Sequence, residues 1–225
     1  MAKIKFGMMM TDARGKLGGH VFSKNKAGSY IRTKVTPTNP QTAAQSYARS
    51  LFASISASWS SLSESVRAAW NNSVQDWART DVFGDLKNPT GKALFQRLNN
   101  QAQSAGLSAV TEPPAKVEMP SDIVSEVAVD TTLSTITLTG AYATTGMQVV
   151  ISATPVLSDG TRFVKNKLRQ IYAVDAASVV PADLYSAYVD KFGAPASGDN
   201  VYFAIKYVAP SGQVTPQQTI KASIS

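Results

Sequence analysis

The side chains best suited to binding a partner are concentrated in the first 35 residues. This segment carries eight cations and one carboxylate, Asp12, and its excess equals the whole formal net charge of +7. The cations are Lys3, Lys5, Arg14, Lys16, Lys24, Lys26, Arg32 and Lys34. Because a local excess of charge attracts oppositely charged surfaces, the segment predicts contact with an anionic partner. A solvated tail that serves only solubility is the alternative interpretation.

Residue types that carry catalysis are sparse in this chain. His20 is the one histidine and there is no cysteine, so thiolate chemistry and a histidine-rich metal site are excluded. No P-loop and no nucleophile elbow occurs. Carboxylates that could pair or bind calcium are scattered through predicted turns, at Asp122, Asp130, Asp159, Asp175 and Asp199. The sequence therefore predicts a protein that is not an enzyme and needs no cofactor.

The basic, glycine-rich segment, residues 1–39, predicts an extended arm that contains a β-hairpin. Residues 3–6, 20–23 and 29–35 are strand-like, and Asn25 to Gly28 has the composition of a turn between the second and third stretches. Because a two-stranded ribbon is marginally stable alone, we expect its own domain or another protein to cover it. The side chains expected to make these apolar contacts are Phe6, Val21, Phe22, Tyr30 and Ile31.

Residues 40–110 predict a compact unit of about three helices. Asn39 and Pro40 can begin the first helix, over 40–57, and Ser61 with Glu64 matches a capping box for a second, over 62–79. Thr90 can cap the third, which Gly106 closes. Apolar residues recur at three- and four-residue steps and predict this core: Leu51, Phe52, Ile55, Trp59, Trp70, Trp77 and Phe95. Base stacking by the tryptophans is the less favoured alternative, because few cations accompany them.

The apolar pattern changes after a proline-rich linker at residues 111–121. From 122 to 225 the chain has short stretches of period two, separated by glycine-containing turns, which is typical of an immunoglobulin- or fibronectin-like β-sandwich. Residues 181–192 could form a short helix or an irregular crossing. The predicted fold class is therefore α+β: a basic β-ribbon arm, a helical unit and a sandwich.

No apolar run approaches the roughly 20 residues of a membrane-spanning helix. The N-terminal stretch after Lys5 is interrupted by Gly7, Asp12 and Arg14, so it lacks the continuous apolar core of a signal peptide. The sequence therefore predicts a soluble protein without a membrane partner.

The N-terminal 100 residues carry a pattern that resembles a known family. The pattern comprises the stretch from Arg14 to Arg32, Asn39 to Gln45, Arg49, Trp59, Leu62, Ala69-Trp70, Phe83-Gly84-Asp85, Gly91 and Phe95. It resembles uncharacterised proteins encoded among the structural genes of tailed bacteriophages. It is also similar to a Bacteroidetes family of unknown function that has an immunoglobulin-like C-terminal domain.

The resemblance implies a multi-copy virion component whose partners are other virion proteins and which assembles in the host cytoplasm. A capsid-associated protein, either a decoration or a minor capsid protein, is slightly favoured over a tail or connector component. Two alternatives stay open. The basic arm could bind nucleic acid, or the sandwich could bind carbohydrate or a cell surface through its candidate tyrosines, Tyr172, Tyr185, Tyr188, Tyr202 and Tyr207. Packing of those tyrosines within the sheets is the simpler interpretation.

Overall fold

The computed structural model describes residues 2–8, 10–120, 126–139, 146–158, 160–175 and 184–224. Within these ranges the chain forms four α-helices, one 3-10 helix and four β-sheets, so the α+β class is confirmed. The predicted turn residues Asp122 and Asp159, and residues 181–183, lie outside the described ranges.

The N-terminal residues form a four-stranded antiparallel sheet, which we call the N-terminal sheet. Its strands are β1 (Ala2–Ile4), β2 (Gly15–Leu17), β3 (His20–Asn25) and β4 (Gly28–Thr33), in the order β1-β4-β3-β2. The predicted hairpin is its centre: Asn25 pairs with Gly28, and the Asn25 Oδ1 accepts a hydrogen bond from Ala27 N at 2.9 Å. The predicted two-stranded ribbon was incomplete: β1 overlaps the strand-like stretch 3–6 and pairs with β4, and β2, which the sequence did not indicate, pairs with β3.

Three helices follow, each capped by a hydroxyl side chain. They are α1 (Ala43–Ser61), α2 (Glu64–Asn72) and α3 (Gly91–Ser104), whose caps are Thr42, Ser63 and Thr90. The helix α1 begins later than predicted because Gln41 has a φ of 51°, which is not helical. The predicted second helix is divided into α2 and a 3-10 helix (Ser73–Trp77).

The helices enclose an aromatic core. Trp70 meets the Phe95 ring edge-on at 5.3 Å between centroids, and Trp59 lies at 5.4 Å on the other side. Trp70 also donates its indole N–H to the Thr111 carbonyl at 2.9 Å. The buried members of this core are Ile55, Trp70, Trp77, Leu94, Phe95 and Leu98, with Leu51 and Trp59 packed against them.

The prediction that Phe52 belongs to this core was wrong. Its side chain is 52% exposed, whereas Ile55 is buried. Leu51, Ile55 and Trp59 follow one another at steps of four and share one face of α1, and Phe52 lies about 100° away from Leu51 around the helix axis.

A small hairpin separates the 3-10 helix from α3. Its strands are β5 (Arg79–Thr80) and β6 (Leu86–Lys87), and we call residues 79–87 the 79–87 hairpin. The Asp81 Oδ1 accepts hydrogen bonds from the backbone N–H groups of Phe83 at 2.8 Å and Asp85 at 3.2 Å. Asp81 therefore fixes the shape of the loop.

The C-terminal residues form two sheets that share one core. The described strands and helix of this unit are, in chain order, β7 (Glu126–Asp130), β8 (Thr135–Thr139), β9 (Gln148–Ala153), β10 (Arg169–Asp175), α4 (Leu184–Phe192), β11 (Tyr202–Val208), β12 (Gln218–Lys221) and β13 (Ser223–Ile224). The first sheet has the order β10-β9-β11-β12, and the second has the order β13-β7-β8. Val127 from the second sheet, Ile151 and Phe203 from the first, and Tyr188 from α4 are all buried in this core.

The helical and C-terminal units are in direct contact. The Gln213 side chain donates to the Val117 carbonyl at 2.7 Å and accepts from the Val117 N–H at 2.9 Å, which fixes the predicted linker. Gly212 has a φ of +76°, and a Cβ added there would collide with the Leu98 backbone of α3. The 210–214 turn therefore approaches α3 as closely as a glycine allows.

The close contact between Gly212 and α3 can be tested by substitution. We expect Gly212→Ala to lower the free energy of unfolding by more than about 2 kcal/mol, since strain from the positive φ adds to the clash with Leu98. Gly198→Ala is the control, because Gly198 has a φ of +88° with no atom within 4 Å of an added Cβ. Urea unfolding of both variants measures the difference. Equal losses of stability would contradict the close approach.

Candidate interaction surface

The first buried side chain among the described residues is Ile55. Every described residue from 2 to 54 is exposed or half-buried, including all four strands of the N-terminal sheet. Sheets in globular proteins pack at least one face against a core, because the apolar side chains of a single layer are otherwise left in water. The N-terminal sheet therefore has an apolar face without a covering layer in the isolated chain.

Strand register separates that face from the other. Phe22 pairs with Ile31 across β3 and β4, and Ile31 pairs with Ala2 of β1. Residues in register share a face, and neighbours two apart along a strand do so too, so Ile4 and Leu17 belong to the same side. Leu17 is 71% exposed. We call Ala2, Ile4, Leu17, Phe22 and Ile31 the apolar face; the same register places the polar residues His20, Lys24, Ser29 and Thr33 on this side of the sheet.

The opposite face is basic. Lys16 pairs with Val21, which in turn pairs with Arg32, and Lys3 pairs with Tyr30. We call Lys3, Lys16, Val21, Tyr30 and Arg32 the basic face. The structure thus divides the residues predicted to make apolar contacts. Phe22 and Ile31 lie on the apolar face, Val21 and Tyr30 lie on the basic face, and Phe6 is half-buried after β1.

Half of the predicted arm cations form ion pairs within the chain. Arg14 and Lys24 lie 3.4 and 3.8 Å from the Asp12 carboxylate, and Lys3 and Lys5 pair with carboxylates of the 79–87 hairpin. Among the residues that the structure describes, the other four arm cations have no ion pair: Lys16, Lys26, Arg32 and Lys34. These four are the ones free to meet an anionic partner.

Ion pairs join the N-terminal sheet to the 79–87 hairpin. The Lys3 Nζ lies 3.1 Å from the Asp81 Oδ2, the Lys5 Nζ lies 2.9 Å from the Asp85 Oδ2, and Lys5 also lies 5.1 Å from the Phe83 ring centroid. Exposed ion pairs such as Lys5–Asp85 contribute about 1 kcal/mol or less. We call these contacts the charged tether. A sequence pattern could have nominated Asp81 and Asp85 as turn residues, but not as partners of lysines about 80 residues away.

The Asp81 carboxyl has a pKa below its usual value. Partial burial raises the pKa of this group, but hydrogen bonds from the Phe83 N–H, the Lys3 ammonium and the Asp85 N–H, together with the Lys3 charge, outweigh that effect. These donors favour the ionised form. Asp81 is therefore a carboxylate at neutral pH and holds both its own loop and Lys3.

A groove of about 530 Å³ lies where the N-terminal sheet meets the 79–87 hairpin. Ala2, Tyr30, Val82 and Phe83 are among the residues that line it. Val82 is 81% exposed and Phe83 is 44% exposed. The groove thus adds apolar surface beside the edge of the sheet.

The tyrosines considered for carbohydrate binding are not exposed platforms. Tyr188 and Tyr207 are buried, and Tyr172, Tyr185 and Tyr202 are half-buried. Burial, together with Asp199 nearby, raises the pKa of Tyr188 to about 12, and its hydroxyl donates to the Thr154 carbonyl at 3.2 Å. The packing interpretation describes these residues better than a binding role.

The described part of the chain lacks both a metal-binding cluster and a helix suited to span a membrane. No group of three or more His, Cys, Asp or Glu side chains is placed to hold a metal ion there. None of the helices in that part combines the length and apolar character needed to cross a membrane.

Comparisons with protein-family models, with curated proteins and with solved structures gave no match.

The charged tether predicts a dependence on pH. Because the pKa of Asp81 is lowered in the folded state, its stabilising effect is complete above the unfolded value of about 3.9 and is lost as the pH falls through the folded value. We expect Asp81→Asn at pH 7 to speed hydrogen exchange of the β1 and β4 amides several-fold, as acidification does for the wild type. Exchange rates corrected for intrinsic pH effects measure this.

Asp130→Asn is the control for that experiment. Asp130 likewise accepts hydrogen bonds from two backbone N–H groups of its own turn, but it lies in the C-terminal unit. Its substitution leaves exchange in β1 and β4 unchanged. Unaltered exchange in Asp81→Asn would show that the ion pairs do not hold the sheet.

Proposed function

We propose that this protein is a structural component of a tailed-bacteriophage virion, associated with the capsid as a decoration or minor capsid protein. In this role the N-terminal sheet docks its apolar face on a neighbouring subunit. The observation that carries the proposal is the uncovered apolar face of the N-terminal sheet. This sheet has four strands, and none of its side chains is buried in the isolated chain. The resemblance of the first 100 residues to phage structural proteins supports a virion as the assembly in which the sheet docks.

Burial of the apolar face on another protein would lower the free energy of the sheet relative to its exposure to water. Complete burial of one large apolar side chain contributes about 1.5–3 kcal/mol, and Ile4, Leu17, Phe22 and Ile31 all have exposed area left to bury. A single contact of this size is modest after the cost of association. In a particle with many copies, each contact is reinforced by the others, so modest contacts suffice.

The unpaired cations of the basic face lie on the side away from the docked neighbour. When the apolar face is covered, Lys16 and Arg32 point to solvent or to a second, acidic partner. Electrostatic complementarity with such a partner selects its identity and orientation more than it adds affinity. The neighbour that covers the apolar face is expected to present an apolar patch.

The strand order of the C-terminal unit supports an immunoglobulin- or fibronectin-like sandwich. The order β10-β9-β11-β12 corresponds to the C′-C-F-G sheet of such domains, and β7 and β8 take the places of strands A and B. The helix α4 follows β10 and contacts β8, where strand E would pair. Such modules occur in both capsid and tail proteins, so a tail or connector component is the alternative position for this chain.

Nucleic-acid binding through the basic face is the second candidate. The observation that favours it is the placement of Lys16 and Arg32 on the same face of the sheet as Tyr30. Binding of this kind would weaken steeply with salt, because each neutralised phosphate releases counterions. A mobility-shift titration that shows no complex at low salt would eliminate it.

Substitutions on the two faces test the proposed docking. We expect Leu17→Ser with Phe22→Ser to reduce incorporation into particles at least tenfold, because both side chains belong to the apolar face. Val21→Ser with Lys16→Ser is the matched control, since it alters the neighbouring positions on the basic face. Incorporation is measured by the copy number per purified particle, and circular dichroism verifies that each variant is folded.

Removal of the whole segment is the complementary test. Deletion of residues 1–35 should abolish incorporation while leaving a folded monomer, because the cores of the helical and C-terminal units lie entirely beyond residue 35. Normal incorporation of the truncated protein, or of the Leu17 and Phe22 double variant, would defeat the proposal.

A further inference from the structure

A second cationic cluster lies far from the N-terminal segment, at the contact between the helical and C-terminal units. A cavity of about 250 Å³ opens there, between α3, the residues after the 3-10 helix, the linker and the 210–214 turn. Arg79, Arg97 and Lys116 line it, and none of the carboxylates that the structure describes does. The N-terminal sheet contributes nothing to this cavity.

The charges in the cavity are not neutralised by the chain. None of Arg79, Arg97 and Lys116 forms an ion pair among the residues that the structure describes. The pKa of Arg97 is lowered, first by its burial and then by the nearby charge of Arg79. Arg97 is half-buried, whereas Arg79 and Lys116 are exposed, and an anion that joins the three would relieve the repulsion between their like charges.

The cavity walls are fixed in position. The Arg97 guanidinium lies 5.4 Å from the centre of the Trp77 ring, in a cation–π arrangement, and Trp77 itself is buried. Gly212 is held against α3, and both polar groups of the Gln213 side chain bond to Val117. An anion would thus meet one cation, Arg97, that is already placed, which reduces the entropy lost on binding.

A polar wall completes the site. The Gln101 Oε1 accepts a hydrogen bond from the Lys206 ammonium at 3.4 Å. Burial lowers the pKa of Lys206. The Gln101 amide nitrogen makes no hydrogen bond within the described residues, so a donor is left over in a cavity that Gln101 lines. Arginine forks and amide N–H groups are the donors that phosphate oxygens accept from in proteins.

We propose that this cavity is a binding site for a phosphate-type oxyanion, with Arg79 and Arg97 as its principal ligands and Lys116 and Gln101 as supporting donors. The volume accommodates inorganic phosphate or the terminal phosphate of a small monoester. Bound phosphate joins α3 to β5 and the linker, so it stabilises the packing of these three segments around the cavity. The proposal is independent of the assembly role.

Thermal unfolding of the full chain with sodium phosphate tests the site. Ionic strength is held constant with sodium chloride, and AMP provides a second arm that distinguishes a phosphate monoester from the free ion. We expect phosphate to raise the melting temperature in a saturable way, and isothermal titration calorimetry to give a dissociation constant at least tenfold higher for Arg97→Gln. Lys92→Gln is the matched control, because Lys92 is an exposed cation on the same helix and does not line the cavity.

Arg79→Gln separates loss of the site from loss of the fold. Because this substitution removes a repelling charge from an exposed position, the variant without phosphate should melt at or above the wild-type temperature and should no longer respond to phosphate. A larger response to AMP than to phosphate would identify a monoester site and supports the proposal. An equal response to phosphate in wild type and both arginine variants, or no response in the wild type, overturns it.

Discussion

The uncovered apolar face of the N-terminal sheet is the constraint on which the rest of the account depends. Hydrogen bonds between four strands give the sheet its shape, but no side chain within it is buried. In the isolated chain it is held to the body by lysines and carboxylates whose individual contributions are small. A sheet that has a defined shape and is weakly attached to its own chain is suited to bury its apolar face on a partner protein.

The remainder of the chain needs no such partner. The helical unit surrounds Trp70 and Phe95, and the C-terminal unit has its own core around Ile151 and Phe203. The two units meet where Gly212 approaches α3 and where the linker is bound by Gln213. In the proposed role the body serves as a folded platform, the N-terminal sheet would bind the neighbouring subunit, and the cationic cavity would be a separate site for a small anion.

Local signals in the sequence predicted the helices, caps and turns better than the contacts between segments that are distant in sequence. Thr90 was found as a helix cap and Asn25 to Gly28 as a turn, because both depend on side chains close in sequence. Phe52 was misplaced because its neighbour Leu51 fits the same periodicity. The charged tether, and the approach of Arg79 to Arg97, join distant segments, so no local pattern reveals them.

A density map of the assembled particle tests the central claim most directly. The account predicts that Phe22 and Ile31 lie within about 4.5 Å of apolar side chains from another subunit, while the helical and C-terminal units keep the packing described above. An apolar face that points into solvent in the particle, or that is covered by helices of its own chain, would contradict the account.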